Sequence, residues 1–374
     1  MNIVFLVERP TQFEAPFYRF VARDPGHELR VLFTNAGAVE PVFDPELGRP
    51  VSWGIDLLEG YRHEACRSEN DLAERLRRDR CDLLIANGYT QRLHRAGVRI
   101  AKRSGIPTAL RLDSVLWDSS AARHLAKRLL FAAYLKRVYD LFLGVGSLTL
   151  DYLRAFGIPR ERTGLFPYAV DVEAFRSRSA LPPEERATVR ERYGVPRDAR
   201  ILLSLTKFGP REAPWDLLRA FARTGREDLW LMLAGDGPAR EDLQRFAHEH
   251  GLDRVRFPGY VPYPELPALY AAADLFVHPA REERWGVSVQ EALACGLPVI
   301  ASDRVGAGKD LIRDGNGFVY TYGDAKQLAG LIDAALALPR DQVQERSREI
   351  LSYWDYTASW SHLLDAASRV VRKP

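Results

Sequence analysis

The fold is decided by residues 273–302, ADLFVHPAREERWGVSVQEALACGLPVIAS. Leu275–His278 reads as a short apolar strand, Pro279–Arg284 as a loop, and about Gly286–Cys295 as a helix, with a second strand at Pro298–Ala301. Two short apolar strands around an amphipathic helix spell a crossover between parallel strands. Gly286 lets the backbone come close to a bound group, and the first turn of the helix points unpaired N–H donors outward. That combination is an anion site. Glu283 stands on the loop before the helix and Glu291 within its second turn. Acids touching a phosphate would repel it, so these two suit neutral hydroxyls, one on a sugar and one on a ribose.

The same alternation extends outward from this stretch. Strand patterns at Ile3–Val7, Leu29–Phe33, Asp82–Ala86, Thr108–Leu112 and Leu141–Val145 are separated by helical ones, among them Arg92–Ser104 and Ala121–Val138. A second series begins at Ile201–Leu205 and continues through Leu229–Ala234 and Val255–Pro258. Each series predicts a doubly wound parallel sheet. A chain of 374 residues also exceeds one ordinary core, so the expectation is two domains, 1–168 and 169–352, followed by a terminal helix, 353–374, that returns to the first.

Composition narrows the class. Apolar residues make up 46% and charged ones 28%, ordinary for a globular protein, and a net charge of +3 does not point to nucleic acid. Cys66, Cys81 and Cys295 are far apart with no CxxC, which argues for a reducing compartment and against structural zinc. MNIVFLVERP reads as a first strand, not a signal peptide, and no apolar run approaches a membrane span. The expectation is a cytoplasmic protein, with contact at the inner membrane face as an option. VGAGK at Val305–Lys309 lacks the first glycine of a Walker loop.

The pattern E-x-W-G-x-x-x-x-E-A-x-A-C-G-x-P-V-I, from Glu283 to Ile300, resembles the hallmark of retaining GT-B glycosyltransferases, glycosyltransferase family 4. The resemblance is dense over residues 160–320 and elsewhere one of layout. It implies two Rossmann-like domains facing a cleft, with transfer of a sugar from a nucleotide-diphosphate sugar, UDP-linked as the first expectation, to a hydroxyl acceptor in polysaccharide, glycolipid or metabolite glycosylation. On the donor side it implies Glu283 on the sugar, Glu291 on the ribose, Trp285, Gly286, Val287 and Ser288 at the helix start, the Gly235 turn, and backbone at Tyr260 and Val261 near the base. A basic residue after the strand ending at Leu205 corresponds to Lys207. The family's next lysine falls at Glu212, so the diphosphate is assigned to Lys207 and the neighbouring Arg211, with Glu212 expected to point away. No DxD motif holds a metal, and no cofactor is expected.

The first half departs further from the family. Its first loop carries Thr11 and Gln12 in place of a Gly-Gly pair, and Asp113 stands loosely where relatives have a histidine. Thr11, Gln12, Arg111 and Asp113 are the acceptor-side candidates, with Asp113, Lys207 and Glu283 nearest the chemistry. Between Arg92 and Arg137 eleven basic residues face only Asp113 and Asp118. Either this is a basic amphipathic surface for an anionic or lipid-linked acceptor, or a helix packing Leu125, Leu129 and Leu130 on the sheet and solvating its arginines. The rival functions are a degenerate GT-B nucleotide binder and a GT-B sugar-nucleotide epimerase.

Overall fold

The computed structural model describes residues 1–371 apart from 36–41, 45, 79 and 118–119, with backbone only at 42, 43 and 49. In chain order the strands are β1 (Asn2–Val7), β2 (Glu28–Phe33), β3 (Val42–Asp44), β4 (Arg49–Val51), β5 (His63–Ala65), β6 (Leu83–Asn87), β7 (Thr108–Leu112), β8 (Leu141–Gly144), β9 (Thr163–Leu165), β10 (Arg200–Leu205), β11 (Leu229–Ala234), β12 (Val255–Gly259), β13 (Leu275–His278), β14 (Val299–Ser302) and β15 (Gly317–Tyr320). By contact the chain divides into two compact units. The first comprises Met1–Val39, Asp56–Val170 and Trp354–Pro374, and the second Glu40–Ile55 with Asp171–Tyr353.

The first unit holds a seven-stranded parallel sheet in the order β5-β2-β1-β6-β7-β8-β9. Its central strands are apolar runs without alternation, as strands covered by helices on both faces require; Ile3, Val4, Phe5 and Leu6 are all essentially buried. The helix Tyr356–Ser368 packs on β9, and Trp360 Nε1 donates to Asp24 Oδ2 at 2.8 Å. Between β7 and β8 the expected single helix is broken into Ala121–Leu130, a π-helical turn at Phe131–Leu135, and a final turn at Lys136–Val138. The expectation that Leu125, Leu129 and Leu130 together pack on the sheet is corrected here. Leu130 meets the core, while Leu125 and Leu129 face outward, 59% and 62% exposed.

The second unit holds a six-stranded parallel sheet in the order β12-β11-β10-β13-β14-β15. Chain direction along the sheet reverses between β10 and β13, which are hydrogen-bonded neighbours. Ligands of open α/β sheets bind outside the carboxyl ends of the strands at such a reversal. The start of β13 is tied down by charge. Buried Asp274 takes Arg186 and Arg190 at 2.8 Å each, Arg340 at 3.0 Å and the Ile201 N–H at 2.9 Å. The antiparallel pair β3–β4 also belongs to this unit. Both sheets are those that the two-domain GT-B reading calls for.

Candidate functional site

The loops leaving β10 and β13 bring together Lys207, Arg211 and Glu283. After β10 the chain runs through Lys207 to Arg211 and Glu212, then enters the helix Pro214–Thr224. Ala213, which caps that helix, has φ +48°, the one non-glycine residue at positive φ among the described residues. A left-handed alanine costs roughly 1–2 kcal/mol, and strain of this kind is kept where the surroundings fix a loop's shape.

Arg211 is the centre of the cluster. Its Nε and Nη2 donate to the two oxygens of Glu46 at 3.0 and 3.2 Å, Nη2 also reaches Glu212 Oε1 at 2.9 Å, and Nη1 reaches Glu283 Oε2 at 3.3 Å. Lys207 Nζ lies 2.9 Å from Asp44 Oδ2 and 2.6 Å from Glu46 Oε2. Burial alone would lower the lysine's pKa, but the Glu46 and Asp44 carboxylates hold it above the ordinary value. Two cations therefore face four carboxylates. Glu212 does not point away, as the sequence reading expected. It is 7% exposed, and its Oε2 accepts the Lys207 N–H at 3.2 Å. Burial and the nearby Glu283 push its carboxyl up to about 7, against the pull of Arg211. The acid that would repel a diphosphate is thus held half-neutral near pH 7 and bonded to the loop it stands on.

Glu283 is fixed by backbone on both sides. Its N–H donates to Arg304 O at 2.9 Å, its carbonyl accepts from Gly306 N at 2.8 Å, and its Oε1 accepts the Trp285 N–H at 3.3 Å. Gly286 then turns the chain into the helix Val287–Ala294 with φ +97°, a region where side-chain-bearing residues are strained. Val287 and Ser288 form the first turn. Trp285 is 2% exposed. Glu291, one turn deeper, is 4% exposed and accepts the Tyr270 hydroxyl at 2.9 Å. Burial pushes its carboxyl up to about 7 in spite of that hydrogen bond.

At the end of β11, Gly235 has φ +137°, and a Cβ there would sit 1.8 Å from the Thr206 carbonyl oxygen. Only glycine allows the β10 and β11 ends to come this close. Tyr260 and Val261 follow β12; the Tyr260 hydroxyl donates to Ser52 O at 3.1 Å and its ring meets the edge of Trp53.

His278 was not anticipated. It ends β13, is 3% exposed, and has no hydrogen-bond partner at Nδ1 or Nε2. Burial first, then the Arg211 charge, push its pKa down to about 4, so the ring is neutral near pH 7. A polar residue at the carboxyl end of a parallel strand was the available signal. Asp44 and Glu46 carried no local signal at all, being far in sequence from the loop they meet.

In the first unit Thr11 serves the fold: its hydroxyl lies 3.3 Å from Glu14 Oε2 and accepts the Glu14 N–H at 3.3 Å. Arg111 is corrected from acceptor contact to internal strut. It is 4% exposed, pairs with Glu14 at 2.8 Å, donates to Phe166 O at 3.3 Å and Pro167 O at 2.6 Å, and lies over the Phe166 and Tyr168 rings. Its donors are spent on the backbone that leaves β9. Gln12 and Asp113 are half-buried in the loops that follow β1 and β7.

Residues 185–350 match the family described as Glycosyl transferases group 1. The chain is 37% identical over 206 residues to a D-inositol 3-phosphate glycosyltransferase of Thermomonospora curvata, covering 52% of this chain and 47% of that protein. It is 34% identical over 199 residues to a GDP-mannose-dependent alpha-(1-6)-phosphatidylinositol monomannoside mannosyltransferase of Mycolicibacterium smegmatis, half of each. The chain thus spans about half the length of the curated relatives it matches. In fold it resembles Anabaena Alr3699/HepE, solved with UDP and glucose, at TM-score 0.73 and 20% identity over 98% of this chain and 99% of that one. A glycosyltransferase from Rickettsia africae aligns at TM-score 0.79 with 14% identity, over 100% and 99%.

Proposed function

We propose, from the match of residues 185–350 to the family described as Glycosyl transferases group 1, that this chain moves a sugar from a nucleoside-diphosphate sugar to a hydroxyl acceptor with retention at the anomeric carbon. The observation that carries the reading is the meeting of Lys207, Arg211 and Glu283 at the β10/β13 reversal, beside the Gly286 turn. Lys207 and Arg211 take the diphosphate and stabilise the charge that grows on it as the bond to the sugar breaks. The start of the helix Val287–Ala294 adds its N–H groups to the same task. Glu283 accepts hydrogen bonds from sugar hydroxyls, and Glu291 from the ribose. Gly235, Tyr260 and Val261 border the nucleoside, and His278 offers the bound donor a neutral ring nitrogen.

In the reaction the anomeric carbon–oxygen bond breaks with its electron pair going to the diphosphate. The acceptor oxygen bonds to the same face, and its proton passes to the departing phosphate oxygen, so no separate base is called on. The first unit is assigned the acceptor, through Gln12 and Asp113. Two features of relatives bear on the donor base. The mycobacterial relative is named for GDP-mannose, and the Anabaena structure holds UDP. The acceptor names among the relatives, inositol phosphate and phosphatidylinositol mannoside, favour an anionic polyol.

The test is nucleoside-diphosphate release from UDP-glucose, UDP-N-acetylglucosamine and GDP-mannose, with water or an inositol phosphate as acceptor and the product anomer read by NMR. Release from one donor, lost in Glu283→Gln and Lys207→Ala, supports the reading. Tight nucleotide binding without release from any donor would replace it with the degenerate binder.

A further inference from the structure

At the end of the second sheet opposite the donor loops, the starts of β10 and β13 meet in a cluster of arginines. Asp274 Oδ1 has Arg186 Nη2 at 2.8 Å, Arg340 Nη2 at 3.0 Å and Arg200 Nη1 at 4.0 Å. Its other oxygen takes Arg190 and the Ile201 N–H. Four guanidinium groups thus surround one buried carboxylate. Arg190 is 7% exposed and spends its remaining donors on the Ala272, Arg197 and Ala199 carbonyls. Arg186 is less well satisfied, since its Nε is buried with no hydrogen-bond partner. The Arg186, Arg200 and Arg340 side chains are 24%, 49% and 48% exposed, so the cluster is open to solvent. Of the acids nearby in sequence, Glu184 and Glu191 are paired with Arg197, and Asp228 with Arg226 at 2.6 Å. Burial first, and then the Arg186 charge, pull the Arg340 pKa down against Asp274, and Arg190 and Arg200 add to the fall. Arg340 also opens the helix Arg340–Leu351, an end whose dipole favours an anion over a cation.

We propose that Arg186, Arg200 and Arg340 bind a phosphate group, free or on a small metabolite, which balances the charge that Asp274 alone leaves uncompensated. Guanidinium groups stay charged at any working pH and pair through two parallel hydrogen bonds with oxyanions. Three of them converging offer more donors than the two oxygens of a second carboxylate accept. A phosphate dianion brings three terminal oxygens and twice the charge. A metal cation is repelled by the same cluster. A nucleic acid needs basic surface beyond it, and the helix that carries Arg186 and Arg190 presents Glu184, Glu185 and Glu191 instead. Bound there, the anion ties the paired strands β10 and β13 to the helices Pro183–Arg192 and Arg340–Leu351. The same strands lead into the loops of Lys207 and Glu283, so the site braces the donor loops from the far end of the sheet. The inference stands apart from the proposed transfer reaction.

Thermal melting of the full chain in inorganic phosphate, against chloride at matched ionic strength and pH, tests it. A saturable rise in melting temperature at millimolar phosphate is expected, as for any ligand that binds only the folded chain. Arg200→Gln/Arg340→Gln should lose the rise, and Arg200→Gln alone, at a half-exposed residue, should move its midpoint severalfold upward. Lys207→Ala should keep the rise, because the donor cations stand at the opposite ends of the strands. Glycerol 3-phosphate is run in parallel: the lower midpoint of the two names the free ion or the monoester as the better ligand, and either supports the site. No rise beyond that of chloride overturns the proposal. So does a rise that Arg200→Gln/Arg340→Gln keeps, or a midpoint that Arg200→Gln leaves unchanged. A rise lost in Lys207→Ala overturns it too, since that assigns the phosphate to the donor loops.

Discussion

Replacing Asp44 and Glu46 together, Asp44→Asn/Glu46→Gln, removes the internal carboxylates from the cationic pair. A diphosphate that reaches Lys207 and Arg211 has to displace three pairings: Lys207 with Asp44 at 2.9 Å, Lys207 with Glu46 at 2.6 Å, and Arg211 with Glu46 at 3.0 Å. The Lys207 and Arg211 side chains are 32% and 39% exposed, so each pairing is screened by solvent. Such pairs are worth about 0.2–1 kcal/mol each, giving a total on the order of 1–2 kcal/mol. That energy is spent whenever donor binds, and the double variant no longer spends it. At about 1.4 kcal/mol per factor of ten, UDP or GDP should bind roughly 5–30 times more tightly to the variant in isothermal titration calorimetry. The variant's melting temperature should fall by a few degrees at most. Unchanged or weaker nucleotide affinity, in a variant that still folds, would refute the view that these two carboxylates occupy the diphosphate position.

Three further outcomes are expected. Glu212 holds a proton in the folded chain from its ordinary 4.5 up to about 7, where the unfolded chain has lost it, so its contribution makes stability fall as pH rises through that window and level off above it. Glu291 acts with the same sign over the same window, so Glu212→Gln should flatten the decline of melting temperature between about pH 5 and about pH 8 without abolishing it; an unaltered slope would place the Glu212 proton elsewhere. Arg111→Met strips a buried partner from Glu14 and should cost about 3–5 kcal/mol in urea unfolding while leaving nucleotide affinity intact, because the Arg111–Glu14 pair lies in the first unit; loss of affinity at full stability would restore Arg111 to ligand contact. His278→Phe replaces two unpartnered buried nitrogens with an apolar edge and should stabilise the fold by about 1 kcal/mol while weakening donor-sugar binding on the order of tenfold, read by thermal melting and calorimetry; a gain in stability with no loss of affinity would make His278 a packing residue only.

The fold was legible because its signals are local. Apolar strands without alternation, interrupted by amphipathic helices, leave little choice but parallel sheets, and both sheets have the expected central strands. The Glu283–Glu291 stretch was legible for the same reason: strand, glycine turn and helix follow one another within thirty residues. What the sequence hid is tertiary. Glu212 read as an outward acid because nothing nearby shows that Arg211 and the Lys207 N–H bond it. Arg111 read as a ligand contact because its partners are far away in sequence: Glu14 opens the helix after β1, and Phe166 and Pro167 follow β9. Apolar spacing in 121–138 could not tell which leucines face the core, since the helix is apolar on two sides and a π-turn intervenes. Asp44 and Glu46 come to Lys207 from about 160 residues away, beyond any pattern a window can see.

Everything proposed for the site depends on the β10/β13 loops holding a nucleoside diphosphate. The most direct measurement is a thermal-shift panel of UDP, GDP, ADP, CMP and dTDP, with and without magnesium, on the wild type and Glu291→Ala. A ligand at 100 times its dissociation constant adds about 2.7 kcal/mol, well above detection. One diphosphate is expected to raise the wild-type melting temperature, and Glu291→Ala to lose most of that rise. No shift with any nucleotide, or a shift that Glu291→Ala keeps in full, would contradict the assignment.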